Sequence, residues 1–521
     1  MARREMRHFG WGDPAHVSHG LPEGAMSLLR ARVGLADAPR PPIASVPLPD
    51  PAPVDLPGAR TEHMTRLLRA AGKSYPDLVR MRLGLVEHAP DAVVVPSSVD
   101  ELRTVLRAGV AVVPFGGGTS VVGGVEALRG SHPAVVSLDL GALDGLVSLD
   151  ERSHIAVFEP GIQLPAAEGA LNARGFTLGH FPQSYEYATV GGCVATRSSG
   201  QASTGYGRID AMVLGLQAVC PAGDVDLLTV PGTAAGPDLR SLLVGSEGTL
   251  GVLTRIALRV RPLPAERRYE GFMFASFEHG CEAFRALEQE GAAPHVARLS
   301  DAAETEVTFA LAGREGLVAD LGARYLRARG VENGCIAICG WEGTLDHVES
   351  ARAASLSVLR RHGAVSLGRS PGRAWSRGRF DGPYLRDDLL DRGVMAETLE
   401  TATTWTNLQA LHRAVGDALR THAPVVMCHV SHLYETGASL YFTFIARQRE
   451  GEEIEQWRQI KTAACDAIVA AGGTITHHHG VGTDHAAWLR HDASDTGITA
   501  LRALKAELDP DGVMNPGKLL A

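Results

Sequence analysis

The sequence predicts an α+β protein with two main domains, and three observations support that fold class. The chain has 521 residues, which is long enough to bury roughly two or three sizeable cores. Its hydrophobic fraction of 45% and its charged fraction of 21% are typical of a folded globular protein. From residue 88 onward, short alternating or β-branched runs are interleaved with amphipathic helical periods. Both domains are therefore expected to mix helices and strands.

The bulk numbers also exclude several classes of protein. A net charge of −9 lacks the basic footprint of a nucleic-acid-binding protein. No run approaches the roughly 18 apolar residues needed to span a bilayer, so membrane contact is expected to be peripheral at most. The first residues, MARREMRHFGWGDPAH, contain no apolar stretch and do not resemble a signal peptide. We therefore expect a cytoplasmic protein that acts on small molecules.

The cysteines support the same location. Seven cysteines, an odd and scattered number, fit a reducing compartment better than a disulfide framework. Cys335 and Cys339 are the closest pair, within the apolar run GCIAICG. A metal pair is one interpretation of that spacing, and two buried small hydrophobic side chains are the preferred one.

The N-terminal region, residues 1–87, is predicted to be an arm and a connector. Residues 36–58 are dense in proline and are incompatible with a helix or a central strand. We interpret them as an extended segment that wraps over the surface of the body.

Residues 88–263 are predicted to form the first domain. Its first strands are DAVVVPSS and AVVPF, and Ser98 and Glu101 between them have the spacing of a capping box at the start of a helix. The later runs AVVSLDL, GLVSLDE and HIAVFEPG alternate in a way that favours antiparallel strands. The run VLTRIALRVRP ends the domain as a further strand.

Residues 264–521 are predicted to form the second domain. Its helical periods are CEAFRALEQEG, SLSVLRRHG and EIEQWRQIKTAACDAIVAAGG, and its strands are EGFMFAS, CIAICGW and SLYFTFIA. The last of these helices leads directly into three consecutive histidines.

Three glycine-rich and hydroxyl-rich segments in the first domain point to a cofactor. They are PFGGGTSVVGG, GHFPQSYEYATVGGCVATRSSG and GSEGTLGVLT. Consecutive glycines let the backbone approach a ligand closely and direct several N–H groups at a phosphate. None of the segments is a G-x-G-x-x-G or a Walker motif, so a Rossmann or P-loop site is not supported. Three such loops in order favour an elongated, phosphate-bearing cofactor, and FAD fits best.

These same segments resemble the cofactor loops of the vanillyl-alcohol-oxidase/PCMH flavoproteins. Within that superfamily the chain is most similar to the alkyldihydroxyacetonephosphate synthase family. The likeness runs from HFGWGD through KSYPDLVRMRLG and the three loops to HHHGVG and NPGKLL. It implies a PCMH-type two-subdomain FAD-binding fold over residues 88–263. It also implies an α+β cap domain over 264–521, whose C-terminal segment returns to the flavin.

The resemblance assigns non-covalently bound FAD to residues of all three loops. The first loop supplies Pro114, Phe115, Gly116, Gly117, Gly118, Thr119 and Ser120. The second supplies Gln183, Ser184, Tyr185, Glu186, Tyr187, Ala188, Thr189, Thr196, Arg197, Ser198 and Ser199. The third supplies Gly245, Ser246, Glu247, Gly248, Thr249, Leu250 and Gly251.

The resemblance also assigns catalytic and substrate-binding residues. It places substrate phosphate on Arg386 and catalysis on Tyr441, His477, His478, His479, Arg298 and His180. From the residues alone, Arg386 could equally form a surface salt bridge, and Tyr441 could simply pack in a strand. A tyrosine becomes an acid/base group only if nearby positive charge lowers its pKa. We therefore expect Tyr441 and the three histidines to share one pocket.

The histidine triplet has more than one interpretation. On a strand, His477 and His479 would share a face and His478 would point away. Zinc sites of hydrolases use helical i, i+4 spacing plus a distant ligand, which the triplet lacks. We therefore predict no metal and a role in proton transfer or substrate contact. Strand geometry favours either His477 with His479, or His478 alone, as the residues facing the substrate.

The expected reaction follows from the resemblance. The family exchanges the acyl group of acyl-dihydroxyacetone phosphate, a phosphorylated lipid, for a long-chain alcohol in ether-lipid synthesis. The alternative is an FAD-dependent oxidase or dehydrogenase of a 2-hydroxy acid of the D-lactate or glycolate type. Such enzymes usually carry G-D-G-N-x-H before G-E-H-G-I-G, whereas this chain reads CHVSHLYETG and THHHGVG. His429 and His432 of CHVSHLYETG also depart from the transferase pattern. A homodimer is expected.

Overall fold

The computed structural model describes residues 3–16, 20–312 and 317–520. Three helices lie in the N-terminal region: α1 (Glu23–Arg32), α2 (His63–Leu67) and α3 (Tyr75–Leu83). Between α1 and α2, the proline-rich residues 36–58 contain a 3₁₀ turn at Ile43–Ser45, and this described stretch has no α-helix or strand. The missing N–H and fixed φ of each proline explain why.

The first sheet is parallel and has the order β1-β3-β2. Its strands are β1 (Ala92–Val94), β2 (Ala111–Phe115) and β3 (Val135–Asp139), and helix α4 (Val99–Leu106) links the first two. Strand β3 is the AVVSLDL run, so the antiparallel character predicted for it is wrong. All five of its residues are buried, as is usual for a parallel strand covered on both faces.

The second sheet is antiparallel and has the order β4-β5-β9-β7-β8, with β6 pairing separately with β10. The strands are β4 (Leu146–Asp150), β5 (Ile155–Phe158), β6 (Phe176–Thr177), β7 (Val213–Cys220), β8 (Gly223–Leu227), β9 (Val252–Arg259) and β10 (Arg261–Pro262). The helices between them are α5 (Leu164–Asn172), α6 (Val190–Ala195), α7 (Ser203–Tyr206), α8 (Ile209–Met212) and α9 (Arg240–Leu243). The antiparallel pairing predicted for GLVSLDE and HIAVFEPG is confirmed in β4 and β5.

The third sheet has seven antiparallel strands in the order β14-β11-β13-β12-β16-β17-β15. They are β11 (Glu266–Phe274), β12 (Val296–Ser300), β13 (Cys335–Gly343), β14 (Val365–Gly368), β15 (Val394–Thr404), β16 (Val425–Tyr434) and β17 (Gly437–Arg447).

Nine further helices follow the second sheet in the described chain. They are α10 (Phe277–Gln289), α11 (Ala302–Leu311), α12 (Leu317–Ala328), α13 (Leu345–Arg361), α14 (Arg369–Gly378), α15 (Gly382–Leu390), α16 (Leu408–Arg420), α17 (Glu453–Ala470) and α18 (Leu489–Leu508). The helical periods singled out in the sequence lie in α10, α13 and α17. With α16, these helices bury one face of the third sheet in the largest hydrophobic core.

Both ends of the chain are attached to the first sheet and its loop. Near the N-terminus, Arg3 donates to Asp139 Oδ1 at 2.5 Å and to Gly116 O at 2.8 Å. Near the C-terminus, Met514 forms a parallel bridge with Val112. The segment around Trp11 contacts α15, because the backbone N–H of Trp11 donates to Asp387 of that helix at 2.5 Å. Both termini therefore help to hold the loop that follows β2.

All seven cysteines are buried and free, so the structure contains no disulfide framework among them. Cys335 and Cys339 lie on β13 within the largest core, which agrees with their interpretation as small hydrophobic side chains. Among the described residues, none of the helices combines the length and apolar character required to cross a membrane.

Candidate active site

A cavity of about 1300 Å³ connects the three glycine-rich loops with the face of the third sheet that lies opposite α10, α13, α16 and α17. Ordinary small-molecule pockets have volumes of roughly 300–1,000 Å³, so this cavity has room for more than one small ligand. We call the part between the loops the loop lobe and the part along β12, β13, β15, β16 and β17 the sheet lobe.

The first and second loops touch through backbone atoms. A Cβ on Gly117 would lie 2.0 Å from Tyr187 O, and one on Gly116 would lie 2.4 Å from Thr189 Oγ1. Gly118 has φ +66°, a conformation that favours glycine. Since no larger residue fits at these positions, the loop leaves its N–H groups and the cavity wall free of side chains.

The third loop closes against the second. Gly245 N donates to Val194 O at 3.0 Å, and Glu247 N donates to Ala195 O at 2.9 Å. A Cβ on Gly248 would lie 2.9 Å from Pro114, at the start of the first loop. The three loops are thus in mutual contact around one elongated space walled by glycine backbone and hydroxyl groups. That donor set fits the pyrophosphate and ribose parts of FAD.

The cavity wall includes most of the residues expected to bind the cofactor. Those that line it are Pro114, Gly116, Gly117, Gly118, Thr119, Ser120, Gln183, Ser184, Ala188, Thr189, Thr196, Ser198, Ser199, Ser246, Glu247, Gly248 and Gly251. Those that do not line it are Phe115, Tyr185, Glu186, Tyr187, Arg197, Gly245, Thr249 and Leu250.

The expected residues outside the wall support it from behind. Tyr187 packs on Trp11 with ring centroids 5.4 Å apart, and Glu186 accepts a hydrogen bond from Tyr384 at 2.9 Å. Gly191 and Gly192, which were not predicted as cofactor-binding residues, also line the cavity and belong to the same TVGG motif as Thr189. Because they directly follow residues that were predicted to bind the cofactor, their position in the motif could have identified them.

Along the sheet lobe, side chains of β15, β17 and β16 form three cross-strand rows. The rows become more polar toward the loops. The rows are Ala396, Ile445 and Val425; then Thr398, Thr443 and Met427; then Glu400, Tyr441 and His429. All of these line the cavity except Glu400, which the histidine triplet covers. Because side chains on one face of a strand recur every second residue, adjacent rows are about 7 Å apart. The far end is completed by Leu29 of α1, Val307 of α11 and Leu389 of α15.

Tyr441 lines this cavity together with His478 and His479, whereas His477, which was expected in the same pocket, does not line it. The Tyr441 ring stacks on His478 at 6.1 Å and meets the edge of His479 at 5.5 Å. The expected lowering of its pKa is wrong. Burial raises the pKa of Tyr441 to about 12, and the carboxylates of Glu397 and Glu400 add to the effect. The phenol is therefore a proton donor and a hydrogen-bonding group at neutral pH, not a phenolate.

The histidine triplet does not form a strand, so the face argument made from the sequence is wrong. Residues 477–479 form a bend around the buried carboxylate of Glu400. The backbone N–H groups of His477, His478 and His479 all donate to it, the last two at 3.0 and 2.8 Å. Thr476 Oγ1 adds a fourth hydrogen bond at 2.7 Å. This curvature turns His478 and His479 toward the cavity together.

The triplet combines one buried charge, the Glu400 carboxylate, with neutral imidazole rings. Burial opposes ionisation of Glu400, but the three histidines and their N–H groups outweigh it and hold the pKa of that carboxyl well below its ordinary value. Burial lowers the pKa of His478 and brings that of His479 to about 3, so both rings are neutral at pH 7. Glu400 was missed because only the folded chain places it under the triplet.

His477 points away from the cavity wall and toward a second histidine. Its Nε2 lies 2.6 Å from the Tyr434 hydroxyl, and its Nδ1 lies 2.9 Å from Nδ1 of His478. His432 stacks on His477 at 5.1 Å, and nitrogen atoms of these three rings lie within 4.8 Å of one another, close enough to be considered as metal ligands. Spacing within the triplet does not reveal this cluster, because His432 lies far upstream in the sequence.

The two arginines differ in their partners. Arg386 lines the cavity, donates from Nη1 to Lys73 O at 3.0 Å, and keeps a buried Nε without a partner among the described residues. Arg298 also lines the cavity, but it donates to Glu304 Oε1 at 2.5 Å and lies 3.0 Å from His429 Nδ1. Glu304 neutralises Arg298, whereas Arg386 forms no salt bridge with the described residues. Glu304 was not predicted from the sequence.

His180 is fully buried and does not line the cavity. Its Nε2 lies 2.7 Å from Ser198 Oγ, and Ser198 itself is part of the wall. Burial lowers the pKa of His180 to about 3, so it is a neutral ring behind Ser198. In this arrangement it can orient the Ser198 hydroxyl but is one residue removed from a ligand.

Comparisons with known proteins agree with this architecture. Residues 90–227 match the family model described as FAD binding domain, and residues 263–519 match FAD linked oxidases, C-terminal domain. The alkyldihydroxyacetonephosphate synthase of Dictyostelium discoideum is 33% identical over 478 residues, which cover 88% of this chain and 78% of that protein. That of Trypanosoma brucei brucei is 34% identical over 482 residues, with the same coverages.

Solved structures show the same relationship. A structure of alkyldihydroxyacetonephosphate synthase superposes with a TM-score of 0.85 at 29% identity, covering 98% of each chain. A structure of p-cresol methylhydroxylase with substrate bound superposes with a TM-score of 0.65 at 14% identity, covering 96% of this chain and 98% of that one. These matches confirm the predicted PCMH-type α+β fold class and FAD as the cofactor.

Proposed function

This chain belongs to the alkyldihydroxyacetonephosphate synthase family, and we propose that it exchanges the acyl group of acyl-dihydroxyacetone phosphate for a long-chain alcohol. The observation that carries the proposal is the sheet lobe. An apolar channel that ends at polar side chains and opens onto the cofactor loops suits a lipid with a reactive head. A 2-hydroxy acid such as lactate has no apolar chain to place there.

FAD would lie in the loop lobe against the glycines of the first loop and the hydroxyl groups of the second. When bound, it supplies the reactive ring at which the substrate exchanges one oxygen substituent for another. The chain's own residues bind the substrate around that ring and exclude water. Glu247 supports this arrangement by accepting hydrogen bonds from Val481 N and Gly482 N at 2.6 and 2.7 Å, which links the third loop to the histidine segment.

Arg386 would bind the substrate phosphate. It lines the cavity, carries a permanent positive charge and forms no salt bridge with the described residues, and a guanidinium can hold a phosphate with two parallel hydrogen bonds. The helix that carries it is fixed from behind, because Asp387 accepts hydrogen bonds from Trp11 N and Arg7 Nη2 at 2.5 and 2.9 Å. The N-terminal arm would thus position the phosphate-binding arginine.

The alkyl and acyl chains would occupy the apolar rows of the sheet lobe. Burying each CH₂ group is worth about 0.8 kcal/mol, so a long chain can supply much of the binding energy. Tyr441, protonated at neutral pH, and the neutral His478 and His479 would handle protons at the polar end.

The mouth of the sheet lobe supports peripheral membrane contact. Phe309 of α11 and Tyr325 of α12 both line the cavity, and they are 42% and 47% exposed. Aromatic side chains of this kind favour a membrane–water interface, from which a lipid substrate could enter. A cytoplasmic location and a homodimer remain predictions from the sequence.

One parallel assay tests the proposed function. Purified, yellow protein is incubated with palmitoyl-dihydroxyacetone phosphate and radiolabelled hexadecanol, and separately with D-lactate and a dye acceptor. We expect label in an alkyl-dihydroxyacetone phosphate product and no bleaching of the flavin by lactate. Bleaching by lactate without alkyl transfer would favour the oxidoreductase alternative, and a protein that binds no flavin would refute both.

A further inference from the structure

His429 occupies the boundary between the apolar and polar parts of the sheet lobe. Along β16, Met427 precedes it and Ser431 follows it on the cavity face. Tyr441 lies directly opposite on β17, with the two rings stacked 4.8 Å apart at an angle of 21°. A chain extended through the apolar rows would therefore bring a terminal polar group next to this pair of rings.

Glu304 and Arg298 determine how the His429 ring is protonated. His429 Nδ1 lies 3.0 Å from Glu304 Oε2 and 3.0 Å from Arg298 Nη2. Burial opposes ionisation of Glu304, but His429 and Arg298 outweigh it and bring the pKa of that carboxyl to about 2. The two partners compete for Nδ1, because an ionised carboxylate can only accept a hydrogen bond and a guanidinium can only donate one. Arg298 Nη2 already donates to Glu304 Oε1 at 2.5 Å, so we assign the Nδ1 proton to the contact with Glu304. The lone pair of the neutral ring is then on Nε2.

Nε2 of His429 is available to a ligand. It has no hydrogen-bond partner among the described residues, and His429 lines the cavity, so Nε2 is the ring nitrogen that can accept a hydrogen bond from a ligand. Burial lowers the pKa of His429, and Arg298 adds to that effect, which keeps Nε2 unprotonated at neutral pH. Three other ionisable side chains near the polar end are less suited. Tyr441 keeps its proton, and the facing nitrogens of His477 and His478 are paired with each other.

We propose that His429 is the general base that deprotonates the incoming long-chain alcohol, and that Glu304 is the residue that positions it. This inference rests on the proposed function and adds a residue to it. In the step, the bond between the substrate carbon and the acyl oxygen breaks, and its electron pair leaves with the fatty carboxylate. The alcohol oxygen forms the new bond to that carbon. The alcohol proton passes to His429 Nε2 and then to solvent, and nothing is oxidised or reduced.

The test separates the two halves of the exchange. His429→Asn is compared with the wild type and with a control, His422→Asn, which changes an exposed histidine just after α16. Three quantities are measured: transfer of labelled hexadecanol, exchange of labelled palmitate into acyl-dihydroxyacetone phosphate without alcohol, and hexadecanol binding by equilibrium dialysis.

For His429→Asn we expect alkyl transfer to fall about 100-fold or more, the range of a lost general base. Palmitate exchange and alcohol binding should stay within about 3-fold of the wild type, because neither requires the alcohol to lose its proton. Full alkyl transfer, or an equal loss of exchange and transfer, would overturn the inference while leaving the proposed function intact. A wild type without alkyl transfer would refute both.

Glu304→Gln tests the positioning role through the pH profile. The charged groups facing His429 are Arg298, Glu304 and Asp301, and Glu304 raises its pKa. Removing that carboxylate should lower the pKa of His429 and move the acid limb of alkyl transfer to lower pH, with a lower plateau. A uniform loss of rate with no movement of the limb would show that Glu304 is only structural and would overturn its part of the inference.

Discussion

The loop lobe and the sheet lobe of the cavity are built in opposite ways. The loop lobe is made of contiguous segments whose backbone forms the wall, as at Gly116 and Gly117, where any Cβ would collide with the second loop. The sheet lobe is made of side chains from separate strands, such as Glu400, Tyr441 and His429, which meet only through cross-strand register. In the proposed function, the first lobe would hold the cofactor, and the second would bind the substrate and handle its protons.

This difference predicts that the two lobes can be disabled separately. A change in the loop lobe should remove the cofactor and every activity that depends on it. A change in the sheet lobe should leave the flavin in place and alter the reaction, its proton transfer or its choice of chain.

The largest effect is expected for Gly117→Ala. The added Cβ would lie 2.0 Å from Tyr187 O, a backbone atom that can move only with the second loop. We expect FAD to bind at least about 100-fold more weakly, so that the purified protein is nearly colourless. Gly232→Ala is the matched control, since a Cβ there meets nothing within 4 Å. Flavin absorbance per protein after gel filtration measures both, and normal flavin content in Gly117→Ala would contradict the account of the loop lobe.

The next effect concerns the carboxylate under the triplet. Glu400→Gln removes the charge that accepts the N–H groups of His477, His478 and His479, and hydrogen bonds to a charged group are worth about 1.5–3 kcal/mol. We expect lower alkyl transfer, a lower Tm and a retained flavin. Glu397→Gln, another buried glutamate on β15, is the control that should leave the triplet in place.

The sign of the pH dependence follows from the pKa of Glu400. Because the folded-state pKa lies below the ordinary value of 4.5, its stabilisation is fully present above pH 4.5 and is lost as the pH falls below it. The gap in free energy of unfolding between wild type and Glu400→Gln should therefore narrow in acid. A gap that is constant from pH 7 down to pH 3 would contradict the ionised state.

The loop lobe could be predicted from the sequence more completely than the sheet lobe, because of the same difference in construction. The cofactor loops could be found because their glycines and hydroxyl groups are contiguous and each loop is next to a strand. The bend at residues 477–479 could not, because its cause is Glu400, which lies 77 residues before His477. Likewise, Glu304 contacts His429 across 125 residues of sequence. The pKa of Tyr441 was predicted with the wrong sign because burial, which a short motif does not reveal, outweighs neighbouring positive charge.

The smallest effect is expected at the far end of the sheet lobe. Val425→Phe adds bulk to the outermost row, beside Ile445 and Ala396, and should shorten the space for the chain. We expect the preference for hexadecanol over octanol to fall about 10-fold, with octanol transfer and flavin content nearly unchanged. Competition between the two labelled alcohols measures this ratio, and an unchanged ratio would show that the alkyl chain lies elsewhere.

Tyr441→Phe gives the most direct test that the sheet lobe carries out the reaction on a cofactor held by the loops. The substitution removes only a hydroxyl group from a ring that stacks on His429 and His478. The quantity to measure is the rate of alkyl transfer per bound flavin. We predict that it falls about 10²–10⁴-fold while flavin content and Tm match the wild type. A wild-type rate per flavin, or loss of the flavin along with the rate, would contradict the proposal that the loop lobe binds the cofactor and the sheet lobe carries out the reaction.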